Sequence, residues 1–234
     1  CTHFRKRRSV RVGHEREQTM RGDISLTAVL ALSAAAAVFG ISPATSAADD
    51  HWIGGYTGAN KSTWSNGSNW LDGAFSSNNN IYFEDRNDNG VPATYLGAAR
   101  VVKSITFTSD CAAAFSIRLA TTATGSTAAN LQFYSGSGGI TVQAGDSYDH
   151  TIGIAGGIVT FAGDLPITHN GSGILTIDRP IAGGSLTKKG TGVFVLEAVN
   201  TYTGATTING GTLQLSGAAS INSSVPPLIV VAPV

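Results

Sequence analysis

Residues 183–216 read GGSLTKKGTGVFVLEAVNTYTGATTINGGTLQLS. Three short runs inside this stretch, GSLTK at 184–188, GVFVL at 192–196 and GTLQL at 211–215, each open on glycine. Going back along the chain, the same design recurs as GILTI at 173–177, GIVTF at 157–161, GITVQ at 139–143 and NLQFY at 130–134. In several of these runs apolar residues alternate with Thr, Gln or Ser, which gives a strand one buried and one wetter face. A run of five residues cannot bury its apolar side alone. Stacking places Ile, Leu, Val and Phe above their counterparts in the next turn of chain, with backbones paired at ~4.8 Å. The glycine starts at 157, 173, 184, 192 and 211 are unevenly spaced. The repeat is therefore degenerate, with several strands to one coil. This pattern predicts an all-β fold, a single-stranded parallel β-helix, with a β-sandwich of similar short strands as the alternative.

Composition agrees. The 234 residues include 29 Gly, and only 13% are charged; Gly, Thr, Ser and Asn are poor helix formers. Before residue 131, β segments are expected at Asn80–Phe83, Val101–Thr108 and Phe115–Leu119, and 84–100 reads mostly as loop. The expected organisation is a Trp- and Asn-rich N-terminal cap with an irregular β region over 49–130, followed by the glycine-rich β-helix over 131–234.

Residues 183–216 closely resemble the passenger-associated transport repeat of autotransporters and related surface proteins. The positions that carry the resemblance are Leu186-Thr187-Lys188, Gly190-Thr191-Gly192, Leu196, Asn200-Thr201-Tyr202-Thr203-Gly204, Thr206-Thr207-Ile208 and Gly210-Gly211-Thr212-Leu213. Glu197 is a minor departure from the family's small polar residue. The Trp-rich opening, ending in Asn69-Trp70, resembles the start of many such exported proteins more loosely. The resemblance implies a right-handed β-helix passenger displayed outside the cell, with the repeat assisting secretion and folding, and no catalytic role. Autotransporters end in a membrane β-barrel, so the resemblance implies a fragment lacking that barrel, attached to the outer membrane through the missing C-terminal part; some related surface proteins end in a short sorting segment instead.

Export is legible independently. Arg21 precedes the apolar run LTAVLALSAAAAVF at 26–39, and the small residues Ala44–Ala48 follow Pro43. This is the order of a signal peptide over 20–48, cut after Ala47 or Ala48. Met20 is the only Met, so residues 1–19 read as upstream or extension sequence. From Ala48 onward there are 8 Lys plus Arg against 12 Asp plus Glu. This mildly acidic part lacks the basic stripe that nucleic-acid binding needs. Without Cys1, Cys111 has no disulfide partner and reads as a small core residue.

Candidate sites are few. Trp52, Tyr56, Trp64 and Trp70 could stack on sugar rings, or could close the open end of the first coil, as solenoid ends require. Asp146, Asp149 and His150 could form an acid–base group on the surface, the chemistry of a polysaccharide-degrading β-helix, or could be solvated loop residues. Asp85–Gly90 opens like a calcium loop, but its twelfth position is Leu96 rather than Glu, so a solvated turn is the better reading. No metal, cofactor or catalytic residue is expected. The partners expected of an exported adhesive segment are surface glycans or components of host or neighbouring cells.

Overall fold

The computed structural model describes residues 49–54, 62–71, 73–84, 93–123, 127–154, 156–217, 219–221 and 229–231. Three regions read from the sequence, 1–19, the signal peptide over 20–48 and the Asp85–Gly90 loop, lie outside the described residues.

Among the described residues the chain forms β1 (Asp49–Trp52), β2 (Asn80–Phe83), β3 (Ala93–Tyr95), β4 (Arg100–Val102), β5 (Ser104–Phe107), β6 (Ser116–Arg118), β7 (Leu131–Phe133) and β8 (Gly139–Val142). It continues as β9 (His150–Gly153), β10 (Val159–His169), β11 (Ile174–Ile177), β12 (Ile181–Lys189), β13 (Val193–Leu196), β14 (Thr206–Ile208), β15 (Thr212–Leu215) and β16 (Ile229–Val231). One short 3-10 turn, Gly67–Asn69, is the helical element among them.

The strands form two sheets. One runs β1-β2-β5-β8-β10-β12-β14-β16, with β4 and β7 joining it at β10; the other runs β3-β6-β9-β11-β13-β15. Every ladder between these strands is parallel. Consecutive neighbours within a sheet come from successive passes of the chain, so the architecture is a parallel β-helix, as expected. A sandwich of antiparallel strands is excluded.

A coil has three segments. In one pass these are β7, β8 and β9. In the next, β10 pairs with β7 through Val159–Phe161 and with β8 through Ile167–His169, and a register shift between Phe161 and Asp164 marks the corner. β11 then supplies the third segment. The solenoid does not begin at residue 131. The β5–β8 ladder crosses residue 130 without a break, and β1 and β2 extend it to Asp49. The expected loop at 84–100 contains β3, and the single strand expected at Val101–Thr108 is divided between β4 and β5.

Register gives the core its columns. Ile81, Ile105, Ile140, Ile167, Lys188 and Ile208 stand one above another. Phe83, Phe107, Val142 and His169 form a second column. Ile117, Ile152, Ile177, Leu196 and Leu215 form a third, on the other sheet. The side chains from Ile81 through Lys188 in the first column are all buried. Thr106, Thr141 and Thr168 follow Tyr82 along an adjacent ladder, where β-branched residues suit the pleat.

The two ends of the stack differ. At the N-terminal end Trp52, Trp64 and Trp70 are wholly or almost wholly buried. The Trp70 ring meets Trp52 and Trp64 edge-on, at centroid distances of 5.2 and 5.4 Å, an arrangement favoured by the ring quadrupole. At the far end of the second sheet, Leu196 is buried, while Leu215 above it is 41% exposed.

Candidate functional site

The sequence expectation for the tryptophans allowed two arrangements, and burial distinguishes them. Trp64 Nε1 donates to Thr94 Oγ1, and Trp70 Nε1 donates to the carbonyl of Trp64 at 2.9 Å. Trp52 Nε1 is buried without a hydrogen-bond partner, and all three rings are buried against one another, a packing that favours closing the end of the coil over stacking on sugar. Tyr56 lies outside the described residues.

Asp146 and His150 are not on the surface. Both are buried. Asp149 is separated from them in role, its Oδ1 accepting from the Ile174 N–H at 2.7 Å. His150 stacks on Phe107 with ring centroids 4.1 Å apart. The Phe115 backbone N–H donates to His150 Nδ1 at 3.0 Å, so the proton of the neutral ring sits on Nε2, which donates to Asp146 Oδ2 at 2.6 Å. Asp146 Oδ1 accepts from the Tyr148 N–H at 2.9 Å.

Cys111 completes a buried cluster with these two, their ligand-type atoms all within 4.8 Å. The cluster invites two chemical readings, a metal centre and a Cys-His-Asp nucleophile. Neither fits the hydrogen bonds. A metal on Nε2 would have to displace its proton while Nδ1 still accepts from Phe115, which would require an imidazolate. The Cys111 thiol donates to the Phe83 carbonyl at 3.2 Å. Burial, aided by the Asp146 charge, pushes that thiol up to about 12, far from a reactive thiolate. His150 has no free nitrogen with which to act as its base. The arrangement joins the turn before β9 to β2, β5 and the 111–115 segment.

The repeat residues lie together at one end of the solenoid. Leu186 is buried in β12, in register with Leu165 and Thr206. Lys188 occupies a place in the isoleucine column and is fully buried. Its Nζ donates to the carbonyls of Lys189 at 2.8 Å, Gly190 at 3.1 Å and Gly210 at 3.3 Å. Burial pulls the ammonium down to about 8.

Asn200 is buried and binds coils on both sides. Its Oδ1 accepts from the Ile181 N–H at 2.9 Å, and its Nδ2 donates to Ser220 O at 2.7 Å and to Ala198 O at 3.0 Å. Tyr202 is buried with its hydroxyl 2.5 Å from Thr206 Oγ1, and burial pushes its phenol upward. The Gly204 N–H donates to Gly184 O at 2.8 Å. Ile208 stands over Lys188, and Leu213 over Phe194. Gly210 and Gly211 form the turn above Gly190 and Gly192.

Two glycines are required by close approach. Gly190 has φ +77°, and a Cβ there would lie 2.4 Å from His169 O. A Cβ on Gly192 would lie 2.1 Å from His169 Nδ1. The turn 190–192 thus rests directly on the His169 ring.

Lys188, Asn200, Gly204, Ile208 and Leu213 each make contacts between successive coils. Residues 186–215 match the Passenger-associated-transport-repeat family. The match begins within β12 and ends at the last residue of β15, so it takes in β12 and β14 of the first sheet and β13 and β15 of the second. No curated protein and no solved structure matches the chain.

Sequence reasoning did not single out His169, nor Lys188 as a buried cation. Lys188 carried a signal, since it falls on the inward phase of a strand otherwise filled by Leu186. His169 carried none, because its place depends on which coil lies above it.

Proposed function

We infer that the chain is a non-catalytic passenger segment exported to the bacterial cell surface, in which the Gly183–Ser216 repeat helps the exported polypeptide fold. One observation carries this reading. The polar signature residues Lys188, Asn200 and Tyr202 are all buried and bonded within the stack, so the repeat's distinctive chemistry serves coil-on-coil assembly. A parallel stack suits vectorial export, because each coil can dock on the one already formed.

The test is export of the full chain from its producing cell, with Asn200→Ala and Tyr202→Ala compared with the native protein. The proposal expects several-fold less exported chain and loss of protease resistance. Unaltered export and resistance would refute it. An adhesive role adds a surface glycan or a protein of a host or neighbouring cell as partner, bound on outward faces of the coils. A glycan array probed with the full chain tests the first of these, and an array that retains nothing removes it.

A further inference from the structure

His169 ends β10 with its ring wholly inside the molecule. Neither Nδ1 nor Nε2 makes a hydrogen bond of good geometry; the Gly173 backbone is the one backbone group that acts on the ring. A buried polar ring without partners is costly, and protonating it in place would cost more. Yet its surroundings hold it firmly. The Gly192 N–H donates to His169 O at 2.8 Å, the absent side chain of Gly192 makes the space in which the ring sits, and Gly190 lies against the His169 carbonyl.

The charged and titratable groups that act on the ring are Lys188 on β12, Asp146 in the turn before β9, and His150 at the start of β9. Lys189, next to Lys188, is exposed. Asp146 is already engaged by His150 Nε2 and the Tyr148 N–H. Lys188 is itself a buried ammonium tied to the same 190 turn. A proton on His169 would therefore add a second cation beside Lys188, with no unshared carboxylate to meet it.

We propose that this corner is an acid-sensitive joint, at which protonation of His169 unseats the Gly190–Gly192 turn and loosens the repeat coil from the coil beneath it. The sign follows from the ring's surroundings. Burial first, and the Lys188 charge second, lower His169 from 6.5 to about 4. The unfolded or opened chain therefore takes up the proton first as pH falls through 6.5. The joint has its full strength above that value and loses it progressively down to about 4. From this ring alone, the closed-to-open ratio falls on the order of a hundredfold across that window. This inference concerns the joint itself and does not depend on the export reading.

The experiment compares the pH dependence of unfolding of the full chain with that of His169→Leu, which keeps bulk and cannot charge. Between pH 7 and pH 4 the stability ratio of native protein to variant should fall on the order of a hundredfold; a ratio changing less than threefold would overturn the proposal. A second measurement needs no variant. Titrated by NMR, the His169 ring should protonate well below 6.5, and the Gly192 amide should lose exchange protection over the same range. A ring that titrates near 6.5, or a Gly192 amide still protected at pH 4, would overturn it equally. Lys188→Met should move the titration upward by removing the neighbouring charge, an effect that a purely steric role for His169 would not produce.

Discussion

Lys188 Nζ donates to the carbonyl oxygen of Gly210 at 3.3 Å, joining one coil to the next from inside the core. An ammonium so placed stands where the same column has Ile167 below and Ile208 above. It is stable there because three backbone carbonyls accept from it, and hydrogen bonds of a charged donor are strong.

This placement has a pH signature. Burial lowers Lys188 from 10.5 to about 8, so between these values the unfolded chain binds the extra proton. Its contribution to stability therefore rises with pH across that window and is constant below it. Urea midpoints at pH 7, 9 and 10 should show this rise in the native protein relative to Lys188→Met, whose difference curve isolates the one group. Parallel curves for the two proteins would show that the ammonium is not desolvated.

The Asp146–His150 pair should be strongly coupled. His150→Phe preserves the stacking on Phe107 but leaves a buried carboxylate without its ring donor, and should cost roughly 3–5 kcal/mol. Adding Asp146→Leu should recover a large part of that loss, because it removes the stranded charge. A double-mutant cycle by chemical denaturation measures the coupling; additive losses would show that the two groups act independently.

The tryptophan cap should behave as core. Trp64→Ala should cost roughly 3–5 kcal/mol in unfolding free energy. All three tryptophans are buried, so native fluorescence should be blue-shifted and should move to the red in urea. A red-shifted native spectrum would place the rings in water and reopen the sugar-stacking reading.

Gly192→Ala should cost about 1–3 kcal/mol by overpacking the His169 ring. His169→Ala should relieve most of that penalty when combined with it, since the obstruction is that side chain. Thermal unfolding of the single and double variants decides this, and a penalty undiminished in the double variant would assign the cost to the backbone.

Position along a column should also set the cost of truncation. Leu196→Ala, deep in the third column, should cost about 2–5 kcal/mol. Leu215→Ala in the same column should cost well under half of that, because the side chain is 41% exposed. Equal losses would mean that Leu215 is covered in solution.

Much of the fold was legible because its signals are local. The run GILTI at 173–177 became β11, and GVFVL at 192–196 became β13, since alternation within five residues decides which side of a strand is apolar. The same reading missed β9 at His150–Gly153, where a histidine and a glycine conceal the alternation. It also left Asp146 and His150 in water, because hydrophilic residues flanked by glycine resemble a loop. What reversed this was the nearby Phe107 ring and the Phe115 N–H, neither adjacent in sequence.

By itself, then, the sequence determined that short glycine-started strands would stack into coils, and that residues 183–216 would form a recognisable repeat. Both follow from alternation, turn chemistry and spacing within a few tens of residues. The tertiary structure alone decided who stands above whom. The column Ile105, Ile140, Ile167, Lys188, Ile208 advances by unequal steps, since loops of different length separate its members. In a stack of unequal coils the neighbour that satisfies a buried group is set by register across coils. That is why Lys188 has its carbonyls, Asp146 its histidine, and His169 no side-chain partner.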